Sequence, residues 1–136
     1  MDNFEDSFSS ILSDMVFLSL DFCEHSVDKV FIHCSNESNC ISSNIFFQKE
    51  NKKLNRNQIK TQSDIEQKNF IHSINSKIKE LELLCIANKQ NVPTEIKMIY
   101  EVKTKHLITD FCYEKLYSNT DDKVVQDVFD EWYNSI

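Results

Sequence analysis

The sequence contains no glycine, and this absence constrains its turns and its possible sites more than any motif that is present. Glycine adopts a positive φ angle at no steric cost and lets backbone approach a phosphate or bend sharply before a nucleophile. Glycine-dependent phosphate loops, dinucleotide-binding turns and nucleophile elbows are therefore excluded. Asparagine tolerates left-handed backbone best after glycine, so we expect turns at the asparagines between the periodic segments: Asn36, Asn39, Asn51, Asn55, Asn88, Asn91 and Asn119.

Length and composition predict a single folded domain over residues 1–136. A chain of this length can bury about two-thirds of its unfolded surface in one core. Its hydrophobic content of 40%, with ten phenylalanines, is typical of a globular protein. The first residues lack the basic region and cleavage site of a secretory signal, and no apolar run approaches the roughly 20 residues that span a bilayer. We therefore expect a cytoplasmic protein that does not bind a membrane.

The cysteines predict a reducing compartment and no bound metal. There are five, an odd number without a CxxC pair, which fits poorly with a secreted disulfide framework. Cys23 with His25, and His33 with Cys34, could in principle supply four zinc ligands, but they lack the paired short spacings of structural zinc sites. We interpret all five as small buried hydrophobic residues: Cys23, Cys34, Cys40, Cys85 and Cys112.

Hydrophobic periodicity predicts helices at both ends and in the centre of the chain, with strands between them. Runs of β-branched and aromatic residues separated by turn residues indicate two antiparallel hairpins. The polar, basic segment 49–62 is either a short strand or a loop. The predicted order is a helix over 3–25, strands over 27–34 and 40–48, the segment 49–62, a long helix over 63–88, strands over 94–103 and 107–114, and a final helix.

Local signals predict the ends and faces of these elements. Ser63 with Glu66 forms a capping box for the long helix, Pro93 follows its end, and Thr120 or Asp121 caps the final helix. In the second hairpin, strict alternation predicts one face toward the core and one toward water. The inward residues are Ile96, Met98, Tyr100 and Val102, and the outward residues are Glu95, Lys97, Glu101 and Lys103. The apolar face of the final helix is Val125, Val128, Phe129 and Trp132.

Five stretches stand in a set order along the chain: VDKVFIHC after the first helix, NIFFQ, the NKQNVPTEIKMIYEV that ends the long helix and begins the next strand, DFCYEKL, and EWY in the closing helix. In this order they resemble the YezG-like antitoxin family, small cytoplasmic immunity proteins encoded beside the toxins of bacterial competition systems. The resemblance spans most of the chain and includes no short, specific motif such as a metal-binding motif. The family's second hairpin often has an Asn-Gly turn, whereas Lys103–His106 contains no glycine.

The resemblance implies an α+β fold, in which an antiparallel meander sheet of about four to five strands is packed by an N-terminal helix, a long central helix and a C-terminal helix. It implies an immunity protein that neutralises one cognate toxin by stoichiometric binding, with no catalysis and no cofactor. The chain is similar also to the immunity partners in Maf and contact-dependent inhibition loci. Their toxins are commonly nucleases, some of the EndoU ribonuclease type. Such proteins diversify at their contact surfaces, so no binding residue of the family can be assigned to a numbered position in this chain.

The charge distribution points independently to an acidic partner-binding surface. The net charge is −7, with seven acids and no lysine or arginine in residues 1–28, and seven acids against two lysines in residues 107–136. If the terminal helices and the last strand lie together, these acids form one surface that would be steered toward the positive active site of a nuclease toxin. The candidate residues are Asp110, Glu114, Asp121, Asp122, Asp127, Asp130 and Glu131, followed by Asp14 and Asp21.

Other interpretations of the same residues stay open. The acids could be a solvated helix face, with Asp121 and Asp122 favourably placed at a helix N-terminus and Trp132 in the core. An adaptor could bind another cytoplasmic protein through the free edge of its sheet, and a second copy of the chain could cover such an edge in a homodimer. Direct nucleic-acid binding is disfavoured because Arg56 is the only arginine, and the basic patch 49–60 is typical of an exposed loop.

A small hydrolase is the third interpretation, and the one with the least support. His33, His72 or His106 could each act as a general base, with Asp110 or Glu114 as the acid. Nothing in the sequence orients these residues, and no nucleophile stands beside a base. We therefore expect a protein that is not an enzyme.

Overall fold

A five-stranded antiparallel sheet forms the centre of the computed structural model of this protein, which describes residues 3–59 and 63–136. The α+β fold class predicted from the sequence is confirmed. The strands stand in the order β3-β2-β1-β4-β5, so β1 is central. The elements are α1 (Phe4–Phe22), β1 (Lys29–Glu37), β2 (Cys40–Lys49), β3 (Lys52–Asn55), α2 (Arg56–Ile59), α3 (Asp64–Ala87), β4 (Glu95–Glu101), β5 (His106–Cys112) and α4 (Val125–Ser135).

The two faces of the sheet are covered by different helices. Side chains alternate along β1, so Val30 and Ile32 point toward α1 and α3, whereas Phe31 and His33 point toward α4. The main core lies on the α1 and α3 side, where Phe22 and Phe70 stack with their ring centroids 4.3 Å apart. Burying each large apolar side chain in this core stabilises the fold by about 1.5–3 kcal/mol. A smaller aromatic cluster lies under α4 on the opposite face.

The helices begin where side chains or nearby carboxylates satisfy free backbone N–H groups. As predicted, the Ser63 side chain accepts a hydrogen bond from the N–H of Glu66, at 3.1 Å. The predicted cap of the last helix is wrong, because α4 begins at Val125, several residues after Thr120 and Asp121. The residue before it, Val124, has no acceptor in its side chain, and the carboxylate of Asp127 instead accepts a hydrogen bond from the N–H of Val124 at 2.8 Å.

Non-glycine residues occupy the left-handed backbone positions of this fold. Ser38–Asn39 and Glu50–Asn51 close the two-residue turns after β1 and β2 with positive φ angles at both residues, as type I′ turns require. Only Asn39 and Asn51 of the seven asparagines expected at such turns have a positive φ angle. The described residues with a positive φ angle are Glu24, His25, Ser38, Asn39, Glu50, Asn51, Lys89 and Lys105.

The face of the second hairpin that was predicted to be exposed to water is exposed in part, at Lys103 and along β5, but not at Glu95. Ile96 and Met98 are buried toward the main core as expected. Glu95 was expected to point to water, but it is only 7% exposed. Its side chain lies on the face of the sheet away from the main core, and α4 covers that face. The turn between β4 and β5 closes without glycine, with Lys105 at a φ angle of 57°.

The predicted burial of the cysteines holds for Cys23, Cys34 and Cys85, whereas Cys40 is exposed and Cys112 is partly exposed. His33 and Cys34 are neighbours on a strand and point to opposite faces of the sheet, so they cannot ligate one ion together. Within residues 3–59 and 63–136, no group of three or more His, Cys, Asp or Glu side chains could hold a metal ion. No helix in these ranges is both long and apolar enough to cross a bilayer.

Candidate partner-binding surface around the last helix

The last helix is attached to the sheet through a small aromatic cluster. Trp132 and Phe129 of α4 are buried against Phe46 and Phe31, the stacked pair on the neighbouring strands β2 and β1. The ring centroids of Trp132 and Phe46 are 5.4 Å apart in an edge-to-face arrangement, and those of Phe129 and Phe46 are 5.8 Å apart. Such pairs favour an edge-to-face geometry and add about 0.5–1.5 kcal/mol each beyond the area that they bury. The inner face of α4 is thereby fixed to the sheet.

A buried carboxylate holds the segment that leads to this helix. Glu37, at the end of β1, is 2% exposed and accepts hydrogen bonds from the backbone N–H groups of Leu116, Tyr117 and Ser118. The hydroxyl of Ser118 donates a further hydrogen bond to the same carboxylate. Burial alone would raise the pKa of Glu37, but these hydrogen bonds favour the ionised form and bring its pKa below the ordinary value. The carboxylate therefore ties the connection between β5 and α4 to the centre of the sheet.

Five of the nine predicted binding acids lie on the outer side of α4 or in the segment just before it. A shallow depression of about 620 Å³ is bordered by Asp122, Asp127, Asp130 and Glu131, with Lys123 among them. Lys123 pairs with Glu131, the two charged atoms lying 2.8 Å apart. The side chain of Asp130 accepts a hydrogen bond from Gln126 at 2.9 Å. We call this group, together with the exposed Asp121, the α4 acidic surface: Asp121, Asp122, Asp127, Asp130 and Glu131.

In the part of the chain that the structure describes, the acids of the first and last helices do not form the single surface that was predicted. Asp14 and Asp21 belong to α1, which covers the face of the sheet opposite to α4. Asp14 is paired with Lys77 of α3 at 3.0 Å. Asp110 lies on the edge strand β5, and its pairing with Lys97 places it on the α4 side of the sheet. The first helix and the last helix therefore present their acids in different directions.

The lysine-rich segment after β2 contains the short strand that was one of its two predicted forms, and it is not the exposed loop that was expected of the basic patch. Its residues form β3 and the short helix α2, beside α4. The ammonium group of Lys53 donates a hydrogen bond to the Tyr133 carbonyl at 3.0 Å and lies 4.5 Å from the centre of the Tyr133 ring. Arg56 and Asn57 border a cleft of about 360 Å³ against α4. Burial lowers the pKa of the Arg56 guanidinium, which is partly exposed. The prediction for residues 60–62 lies outside the described part of the chain.

A buried acid–base pair under α4 was not identified from the sequence. The Nε2 atom of His33 lies 2.8 Å from Oε2 of Glu95, and the two residues are 1% and 7% exposed. The His33 ring also contacts Phe129 and Trp132, with centroid distances of 5.8 Å and 5.9 Å. Glu95 therefore orients His33, contrary to the expectation that nothing does. The pairing of β1 with β4 was the missing signal, because it sets Glu95 diagonally across from His33.

The other residues considered for catalysis are not gathered around this pair. His72 is exposed on α3, on the opposite face of the sheet, and His106 is exposed at the start of β5. Glu114 follows β5, and its backbone carbonyl accepts a hydrogen bond from Thr94. The pair of His33 and Glu95 is covered by aromatic rings, so a substrate cannot reach it while α4 is docked.

No protein-family model matches the chain, and no curated protein matches it significantly.

Proposed function

We propose that this protein is a non-enzymatic immunity protein that acts in the cytoplasm by binding a cognate toxin, with a nuclease domain as the target and the α4 acidic surface as the contact. The acidic depression on the outer side of α4 is the observation that carries the proposal. Its helix is fixed to the sheet by Trp132 and Phe129, so the outward carboxylates stand on a rigid support. Inhibition is stoichiometric and needs no cofactor.

Electrostatic complementarity supports a basic partner. A nuclease holds phosphates in a positively charged site, and an acidic surface is drawn toward such a site over distances of about a Debye length, roughly 8–10 Å. Asp121 and Asp122 are exposed and make no side-chain hydrogen bond or ion pair with the described residues. Their carboxylates are therefore free to pair with lysines or arginines of a toxin. Binding there blocks access of the nucleic acid to the active site.

The first experiment identifies the toxin from the neighbouring gene. A large secreted protein with a variable C-terminal domain, encoded beside this chain, is the expected finding. That C-terminal domain should be toxic when expressed alone and harmless when co-expressed with this protein. Failure of the protein to protect cells from it would overturn the assignment of immunity.

A second experiment tests the surface itself with a charge-matched control. In the test variant, Asp122, Asp130 and Glu131 are replaced together by lysine. In the control variant, Glu5, Asp21 and Glu66 are replaced by lysine; these residues are exposed on α1 and α3, on the opposite side of the sheet. Both variants replace three acids with three lysines, so their net charges are equal.

The test variant should associate with the toxin at least about tenfold more slowly at low salt, with a smaller difference at high salt. The control variant should keep most of the wild-type association rate. Circular dichroism melting curves check that both variants are folded. Equal losses in the two variants would show that only net charge matters, and the α4 acidic surface would then be rejected as the contact.

A further inference from the structure

Among residues 3–59 and 63–136, no strand pairs with the outer side of the edge strand β5. Of the described strands, β4 alone pairs with β5, which spans seven residues, His106–Cys112. The opposite edge of the sheet is the four-residue strand β3, which is short and includes Lys52 and Lys53. Short length and lysines are the features that protect an edge strand from pairing with another chain. β5 lacks both.

The hydrogen bonds of β4 show which backbone groups of β5 are free. Antiparallel partners exchange backbone hydrogen bonds at every second residue. Just outside the two ends of β4, Asn36 donates its N–H to the Thr94 carbonyl at 2.9 Å, and Val102 donates its N–H to the Asp28 carbonyl at 3.0 Å. The N–H of Thr94 itself donates to the Cys112 carbonyl at 2.8 Å, where the regular ladder ends. The even-numbered residues of β4 therefore bond to β1, and its odd-numbered residues bond to β5.

In β5, the residues opposite these odd-numbered positions include Ile108, which faces Ile99, and Asp110, which faces Lys97. Their backbone groups point into the sheet. It follows that Leu107, Thr109 and Phe111 direct their N–H and C=O groups toward the open edge. The edge thus offers a regular row of unpaired donors and acceptors.

The side chains of β5 on the α4 side form a symmetric charge pattern. His106, Ile108 and Asp110 alternate along the strand, and all three are exposed, Ile108 by 53%. An ionisable base and an acid therefore stand two residues before and two residues after an exposed apolar side chain. Such a pattern is complementary to itself when the strand direction is reversed.

We propose that β5 pairs with β5 of a second copy of this chain, antiparallel and centred on Ile108. In this register Ile108 lies opposite Ile108 of the second copy, and His106 lies opposite Asp110 of the second copy, twice by symmetry. These are pairs that do not exchange backbone hydrogen bonds, so their Cα atoms approach to about 4.5 Å and their side chains meet. Leu107 and Thr109 exchange four backbone hydrogen bonds across the two-fold axis, and the two sheets become one.

Neighbouring registers are less favourable. Centring the pair on Thr109 places Ile108 opposite Asp110 of the second copy, which sets an apolar side chain against a charge. Centring it on Asp110 places two carboxylates directly opposite each other, and like charges in that position are destabilising. The charge pattern therefore selects the register as well as the partner. This interface uses β5 and none of the α4 acidic surface, so it does not depend on the proposed function.

Sedimentation and NMR of the full chain test the pairing. Sedimentation equilibrium from about 10 μM to about 1 mM covers the range in which an interface of one strand pair is expected to dissociate. In a mixed sample of labelled and unlabelled protein, an NOE between the Hα atoms of His106 and Asp110 is the diagnostic signal. Within one strand these atoms are about 14 Å apart, so the NOE can only arise between two copies.

Charge variants test the register. Asp110→Lys places a lysine opposite His106 of the second copy, and His106→Asp places two carboxylates opposite each other. Each variant should raise the dimer dissociation constant by about tenfold. The double variant carrying both changes restores opposite charges and should return the constant to near the wild-type value. Because both residues are exposed, the variants should stay folded, which their melting curves check.

A monomer at every concentration up to about 1 mM would overturn the proposal. So would a dimer that lacks the NOE, or a double variant as weak as the single variants, because the interface would then lie elsewhere or use another register. If the edge is taken by a strand of a different protein, the purified chain alone will stay monomeric, and that result also rejects the second copy as its occupant.

Discussion

The Nε2 atom of His33 lies 2.8 Å from the Oε2 atom of Glu95, and the aromatic rings of Phe129 and Trp132 cover the histidine. The other carboxylate oxygen of Glu95 lies 3.7 Å from the ammonium group of Lys97. This buried polar group links β1 to β4 on the side where α4 is attached. Removing one partner of such a buried pair is strongly destabilising, because the other partner is left buried without it.

His33→Leu should lower the free energy of unfolding by about 3 kcal/mol. The change leaves the Glu95 carboxylate buried with only the more distant Lys97 ammonium group, 3.7 Å away, as a partner. The double variant His33→Leu with Glu95→Leu should cost much less than the sum of the two single variants, since no buried charge remains. Urea denaturation of the four proteins at pH 7 measures the coupling. Additive losses would mean that the two side chains do not stabilise each other.

The arrangement under α4 shows where sequence reasoning succeeded and where it could not. The helix over 3–25 and the Ser63 cap depend on local spacing, and α1 and α3 agree with them. The burial of Glu95 depends on a helix 30 residues further along the chain, Val125–Ser135, which covers the second face of the sheet. Strand alternation reports which side chains share a face but not what covers that face. Glu37 was missed for the same reason, since its partners begin at Leu116.

Asp14 and the α4 acidic surface face in opposite directions because the chain topology places α1 and α4 on opposite faces of the sheet. Charge counts group acids by their position in the chain, whereas the sheet separates α1 from α4. The prediction of left-handed turn positions from asparagine was only partly right, for a different reason. With glycine absent, the fold uses whichever residue stands at a left-handed position, including Lys89 and Lys105, so asparagine alone is not a sufficient guide.

Glu37→Gln should lower the free energy of unfolding by about 2 kcal/mol at pH 7, because it removes a buried charge that accepts hydrogen bonds from three backbone N–H groups. The pKa of Glu37 is lowered in the folded protein, so its contribution is complete above the unfolded pKa of about 4.3 and is lost as the pH falls through the lower folded value. The difference between the wild type and the variant should therefore shrink below about pH 4.

Denaturant titrations between pH 7 and pH 3 measure this difference. Fluorescence of Trp132, the only tryptophan, reports separately on whether α4 stays docked. A difference that is constant with pH would show that the charge of Glu37 is not what matters.

Lys89→Gly should raise the free energy of unfolding by about 1 kcal/mol. Lys89 has a φ angle of 55° just after α3, and the N–H of Gln90 donates to the Cys85 carbonyl at 2.9 Å, which is the hydrogen bond of a helix end that prefers glycine. Lys68→Gly is the matched control: Lys68 is exposed inside α3, where glycine costs about 1 kcal/mol. Equilibrium unfolding should give opposite signs for the same chemical change, and equal signs would contradict the argument.

The cysteines should react with a thiol reagent in a defined order. Cys40 is exposed and should be modified at once in the native protein. Burial raises the pKa of Cys34 to about 12, so almost no thiolate forms there, and Cys34 should react only when the chain unfolds. Mass spectrometry after brief alkylation, with and without denaturant, identifies the modified residues. Rapid native labelling of Cys34 would show that the main core opens readily.

The attachment of α4 by its inner face has a consequence for how such a chain diverges. Phe129 and Trp132 hold the helix, while Asp130 and Glu131 contribute to neither hydrophobic cluster. Substitutions on the outer turns are therefore nearly neutral for folding, of the order of 0.5 kcal/mol or less. These carboxylates are therefore free to change as the proposed toxin changes, while the scaffold beneath them stays the same.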